Sequence, residues 1–200
     1  MKRFAIRFNA PVVLSFAILS LLVLVLDSAT GGASTARLFC VYRAPLTDPL
    51  TYVRFFTHVL GHSGYSHYMG NMLLLLLVGP GLEEKYGSRN LLLTIVITAF
   101  ATGLVQFLLF PHSALLGASG VVFMMIVLSS FTEMKKGGIP LTMLLVAALY
   151  LGQQVYDIIF AHDNVANFMH IVGGVCGTAF GYVYAMLPRK RRRPAARKKR

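Results

Sequence analysis

Six apolar segments separated by polar breaks take up most of the chain, and they constrain its fold more than any other feature. They run from about Pro11 to Leu26, Ser66 to Leu82, Asn90 to Phe110, Ser119 to Phe131, Ile139 to Phe160 and Ala166 to Leu187. Near-uniform hydrophobicity over such lengths predicts helices, because a spanning strand is about ten residues long and alternates in polarity. The chain is 56% hydrophobic and 13% charged, whereas a soluble domain carries about a quarter charged residues. The expected class is an all-α membrane protein. Its core is a bundle of six transmembrane helices over 11–187, with a long outer loop at about 27–65 and a short fourth helix that starts inside the membrane. Residues 1–10 precede the bundle and a polybasic tail, 188–200, follows it. The basic start, the first apolar run and the small residues from Ala29 to Ala36 also fit a secretory signal peptide, although the run is long for one. Two cysteines, Cys40 and Cys176, give no disulfide framework and read as free thiols.

The formal charge of +12 raises the question of nucleic acid, and the distribution of charge answers it. With the N-terminus in the cytoplasm, six crossings return the C-terminus there. All of the 19 Lys and Arg residues except Arg37, Arg43 and Arg54 then lie inside, a strong positive-inside bias. The tail, Arg189 to Arg193 and Arg197 to Arg200, therefore reads as an anchor beside anionic lipid headgroups and not as a nucleic-acid interface.

On this topology the second, fourth and sixth helices all begin on the outer side, and unusual polar residues gather at those beginnings: His67 and Asn71, Ser119, then Asn167 and His170. Polar groups inside a membrane are costly and usually face an interior cavity. The fourth segment is thirteen residues long, or roughly 20 Å, too short for a hydrocarbon core of about 30 Å. It must start below the outer surface, so the loop from Pro111 to Gly117 dips into the protein. Gly117-Ala118-Ser119-Gly120 forms the junction, where glycines permit a tight turn. Ser119 then stands at a helix N-terminus, whose free N–H groups favour a developing negative charge. Nucleophile and oxyanion site in one turn suit acyl transfer; helix capping is the plainer role for such a serine.

His67 and Asn71 are four residues apart and share a helix face. Their N–H groups can point at one oxyanion or make an ordinary interhelical hydrogen bond. His170 precedes Gly173, Gly177, Gly181 and Ala185, small residues at every fourth position that let two helix backbones approach closely. With the fourth helix as partner, the imidazole comes within reach of Ser119 as a base.

Together these residues resemble the rhomboid intramembrane serine proteases, in particular the bacterial-type members with six helices. The matching pieces, between about Tyr52 and Leu187, are Arg54-Phe55-Phe56-Thr57-His58-x-x-x-His62, His67-x-x-x-Asn71, Gly117-x-Ser119-Gly120 and His170-x-x-Gly173-x-x-x-Gly177. Glu83 before Lys85-Tyr86-Gly87 is similar to the family's glutamate at the inner end of the second helix. The resemblance implies Ser119 as nucleophile, His170 as general base and then acid, and an oxyanion site of Asn71, His67 and the Ser119 backbone N–H. Gly117, Gly120, Phe123, Gly173 and Gly177 would support it, with no cofactor and no metal. The implied substrate is a membrane protein cut near the outer end of its transmembrane helix, with Gln153 and Gln154 of the fifth helix beside its lateral access. The implied location is a bacterial plasma membrane, with both termini cytoplasmic and the active site opening outward. Two positions depart from the family's pattern. Val53 stands where Trp often precedes the arginine, and Phe123 stands where Tyr often stacks on the base.

Rival readings are weaker. His58, His62 and His67 have spacings that suit zinc, but no His-Glu-x-x-His and no neighbouring acid accompany them; the first two are expected to tie down the outer loop by hydrogen bonds. Asp157 alone makes no aspartyl pair, and no inverted repeat suggests a transporter. A non-catalytic chaperone or binder of transmembrane segments on the same fold is the alternative function, opposed by the presence of both Ser119 and His170.

Overall fold

A computed structural model of the protein describes residues 8–133 and 164–186, together with the helical positions 141, 145, 148 and 149. Seven α-helices are described: α1 (Pro11–Ala29), α2 (Ala33–Leu38), α3 (Pro49–Thr57), α4 (Tyr65–Tyr86), α5 (Ser88–Leu109), α6 (Ser119–Ser130) and α7 (Asn164–Met186). Five of the six apolar segments coincide with described helices. Most of the expected fifth segment, with Gln153 and Gln154, lies outside the described residues, as do Lys135, Lys136, the first seven residues, the side chain of Asn167 and the basic tail. Among the described residues three helices are long and apolar enough to cross a membrane: Pro11–Ala29, Ser88–Leu109 and the Phe168–Met186 part of α7. Among the described residues there is no strand, only an isolated antiparallel bridge between Val41 and Leu115.

α4 runs one turn beyond the point where Glu83-Glu84-Lys85 suggests an end. The reason is Glu83, which is only 4% exposed. Its Oε1 accepts the Val12 N–H at 3.0 Å and Oε2 accepts the Val13 N–H at 3.0 Å, while Ser88 Oγ donates to Oε1 at 2.6 Å. Residue Ala10 gives α1 no side-chain cap; the carboxylate caps it from another helix, satisfying donors that the α1 backbone leaves unpaired. Pro11, in the first turn, has no N–H to lose. Close packing at the same end needs Gly79, where a Cβ would stand 2.7 Å from Val13 Cγ2.

The long loop between α1 and α4 is not irregular. It contains α2 and α3, and α3 turns polar side chains inward. Thr51, Arg54 and His58 are buried, while Tyr52, Val53 and Phe56 are exposed. Arg54 Nε donates to Arg37 O at 2.9 Å and its Nη1 meets Asp48 Oδ2 at 3.1 Å, with the guanidinium 4.7 Å over the Tyr42 ring. Asp48 Oδ1 also caps α3 through the Leu50 N–H at 2.9 Å. A buried charge is tolerable only when paired and hydrogen-bonded in this way. α3 packs on α5 at Gly103, where a Cβ would stand 2.8 Å from Phe55 O, and Phe55 meets Phe107 edge to face at 5.4 Å. Cys40, a free thiol as its sequence context suggests, is buried, and burial pushes its thiol pKa up.

Candidate active site

The loop before α6 is fixed by main-chain bonds and one glutamine. Val41 and Leu115 exchange two N–H···O bonds of 2.9 Å, and the Gly117 N–H donates to His58 O at 2.9 Å. Gln106 Nε2 donates to Ser113 O at 3.1 Å and Ser113 Oγ at 3.0 Å, tying the loop to α5. These bonds hold a loop backbone that has no helix of its own to satisfy it. Gly117 ends the loop with φ of +122°, a conformation that L side chains rarely adopt. A Cβ there would also stand 2.8 Å from both Nε2 and Cε1 of His67 and 4.0 Å from Asn71 Nδ2. The glycine therefore lets the loop lie directly against the two polar residues of α4.

Ser119 is the first residue of α6, preceded by Ala118, and no side chain caps that end. Its hydroxyl does not act as the cap that a serine at such a junction suggests. Twelve residues of α6 make about 18 Å, and Gly120 at its start sits between α5 and α7, with a Cβ 3.1 Å from Thr102 Cγ2 and 3.6 Å from Met169 O. The α6 and α7 backbones touch at the glycine strip. A Cβ on Gly173 would fall onto the Gly120 carbonyl, 2.9 Å from its carbon, and one on Gly177 would stand 2.5 Å from Met124 O. His170 lies one turn before Gly173 and is half-buried. Its imidazole stacks on Phe123, with centroids 4.2 Å apart and planes 3° from parallel. Phe123 is four residues after Ser119, hence on the same face of α6. The structure therefore sets the histidine of α7 against the face of α6 that carries the serine.

On α4, Asn71 is buried, and its Nδ2 donates one of two hydrogens to His67 O at 3.1 Å. His67 Nδ1 is met by Ser63, through Oγ at 3.1 Å and the backbone N–H at 3.4 Å. His58 ties the loop to α5, as expected from the sequence, whereas His62 bonds only within the loop. His58 Nδ1 bonds Arg54 O at 3.1 Å, so it carries the proton, and Nε2 accepts from Thr102 Oγ1 at 3.2 Å. Burial holds the His58 pKa down to about 4, so the ring is neutral at pH 7. His62 Nδ1 donates to Leu60 O at 3.1 Å, and burial, with His67 nearby, holds its pKa at about 4 too. Among the described residues no three His, Cys, Asp or Glu side chains are grouped to hold a metal ion. The sequence did not disclose Thr102, Gln106 or Ser63 as parts of this region. The available signal was spacing: Thr94, Thr98, Thr102 and Gln106 recur every fourth residue of α5, and Ser63 stands four before His67.

Fold and site together define an integral membrane protein of all-helical class, with a serine at the head of a short buried helix facing a histidine across a glycine contact. The rhomboid domain family model matches residues 49–187. The chain belongs to the rhomboid family. It is 31% identical over 157 residues to rhomboid-related protein 2 of Mus musculus, covering 68% of this chain and 52% of the relative. It is 30% identical over 145 residues to the rhomboid protease GlpG of Salmonella paratyphi A, covering 69% of this chain and 50% of that protein. Rhomboid-related protein 1 of Caenorhabditis elegans is 30% identical over 139 residues, 65% of this chain and 39% of that one. The chain thus spans about half or less of the length of these relatives.

Proposed function

We propose that the protein is an intramembrane serine endopeptidase that hydrolyses membrane proteins in or near their transmembrane helices. Ser119 Oγ attacks the scissile carbonyl while His170 takes its proton. His170 then returns that proton to the leaving amine, and a water, deprotonated by the same imidazole, releases the acyl group from Ser119. The oxyanion of each tetrahedral intermediate is held by the second Asn71 N–H, by His67 and by the Ser119 backbone N–H. No aspartate takes part, so orientation of His170 falls to the flat contact with Phe123. The observation that carries this reading is the meeting of α6 and α7 at Gly120 and Gly173, with His170 stacked one turn after Ser119. The protease named among the relatives supports the same class.

The finer expectations belong to this proposal. The bundle has six transmembrane helices over 11–187, with 1–10 and the basic tail 188–200 in the cytoplasm beside anionic headgroups. The site opens to the outer side of a bacterial plasma membrane, and the substrate is cut near the outer end of its helix. Covalent labelling decides the chemistry. A fluorophosphonate probe should modify the purified protein at the peptide holding Gly117-Ala118-Ser119-Gly120. The adduct should vanish in Ser119→Ala and fall sharply in His170→Ala, and the double variant should cleave little less than either single one. Wild-type protein that binds transmembrane segments, never labels and releases them uncut would replace this reading with the non-catalytic binder.

A further inference from the structure

Where the loop enters α4, Ser63 meets one edge of the His67 ring. Its Oγ lies 3.1 Å from Nδ1 and its backbone N–H reaches the same nitrogen over 3.4 Å. The opposite edge, Nε2 with Cε1, is the one that faces Gly117. A neutral imidazole carries one N–H, and only hydrogen bonding decides which nitrogen holds it. The Ser63 amide can only donate, so it requires a lone pair on Nδ1; the hydroxyl hydrogen rotates to do the same. The remaining hydrogen is then on Nε2, directed at the turn that ends in Ser119.

We infer that Ser63 is a positioning residue that holds His67 as its Nε2–H tautomer, so that the ring presents a donor to the site. Its consequence for turnover rests on the reading of His67 as an oxyanion donor; the tautomer itself does not. The other titratable group facing His67 from the loop is His62, 5.1 Å between ring centroids and steeply inclined. It competes for neither nitrogen, since its Nδ1 donates to Leu60 and its Nε2 has no hydrogen-bond partner among the described residues. Tyr68, next on α4, sends its hydroxyl to Ala17 O at 3.2 Å, and Gly117 offers no side chain. Ser63 is exposed and supports no core packing, so its side chain can be changed without disturbing the bundle.

The test uses the full chain in liposomes, with ¹⁵N-histidine and a transmembrane peptide substrate. Long-range ¹H–¹⁵N spectra, with the His67 signals assigned by their loss in His67→Gln, should show wild-type Nε2–H. Ser63→Thr should keep that tautomer and near wild-type turnover. Ser63→Ala, which leaves only the amide, should lower kcat about two- to tenfold, the size of one neutral hydrogen bond. Ser63→Asp places an acceptor at Nδ1. The neutral ring then carries Nδ1–H and turns a lone pair to the site, while the protonated ring at low pH keeps both hydrogens. Relative to wild type, kcat of Ser63→Asp should fall as pH rises through the imidazole titration, approaching the about 10²–10³-fold loss of a removed oxyanion donor, with KM little changed. Wild-type His67 found as Nδ1–H would overturn the inference, as would a tautomer that Ser63→Asp leaves in place. A tautomer that changes while the pH profile stays parallel to wild type would overturn the positioning role. A wild-type protein with Nε2–H and no turnover would sustain the tautomer and remove the protease reading instead.

Discussion

Phe123 and His170 lie ring on ring, 4.2 Å between centroids, although one belongs to α6 and the other to α7. In the proposed mechanism no carboxylate holds the imidazole plane, so the aromatic face contributes to its orientation. Stacked aromatic pairs are worth about 0.5–1.5 kcal/mol, and that contact is lost in Phe123→Leu. Its kcat on a transmembrane substrate should fall about two- to tenfold. Phe123→Tyr keeps the ring and should stay near wild type. Equal turnover of the Leu variant and wild type in liposomes would show that the stack does not orient the base.

The glycine strip makes a stronger demand. Gly173→Ala drives a methyl group into the Gly120 carbonyl, and neither partner is a flexible side-chain end. Backbone must move, which typically costs about 1–3 kcal/mol in a packed interior and carries His170 away from Ser119. Helicity by circular dichroism should persist while the melting temperature drops and labelling of Ser119 falls more than tenfold. Gly81→Ala is the control, since a Cβ there meets nothing within 4 Å.

Glu83 should matter for stability and not for chemistry. Glu83→Gln replaces one carboxylate oxygen by an amide that cannot accept, leaving a Val12 or Val13 N–H without its cap. A buried donor stripped of its partner costs about 1–3 kcal/mol. The expected result is a lower melting temperature in detergent, with unchanged kcat for the protein that remains folded. A melting temperature equal to wild type would mean that α1 does not depend on this cap.

His58 and His62 give the fold a defined acid limit. In the unfolded chain each imidazole takes a proton near 6.5, whereas in the fold each does so only at about 4. The unfolded state therefore binds more protons between those values, so stability rises with pH across this window and is complete above 6.5. Melting temperature should fall as pH drops from about 6.5 towards 4, and His58→Gln should flatten that fall. An identical pH dependence in the variant would assign the effect to other groups.

Much of this was legible in the sequence because membrane helices announce themselves by length and hydrophobicity. α1, α5, α6 and α7 lie within a few residues of their apolar segments, and the shortness of the Ser119 helix was visible directly. The long loop between α1 and α4 was not. α3 turns Thr51 and Arg54 inward beside Phe55 and leaves Tyr52, Val53 and Phe56 outward, which blurs the polarity by which a surface helix is recognised. The end of α4 was misplaced because Glu83 looks like a helix-ending charge until its partners, seventy residues earlier in α1, are seen. The burial of Cys40 is hidden for a similar reason: nothing local says that its loop folds back onto the bundle. The serine and histidine were nominated from the sequence only as candidates. The spatial link between them, a flat aromatic contact and a carbonyl pressed on a glycine, exists only once α6 and α7 are packed.

Apart from the Gln106 side chain, the turn that delivers Ser119 is tethered through main-chain atoms: the amide and carbonyl groups of Val41, Leu115, Gly117 and His58. Pro111, His112 and Ala114, on the same loop, are exposed and take no part in those bonds. Their identities are thus free to drift, or to be rewritten by an engineer, without retuning the chemistry a few residues away. A reporter group or a cross-linker can be installed at these three exposed positions while the serine keeps its address.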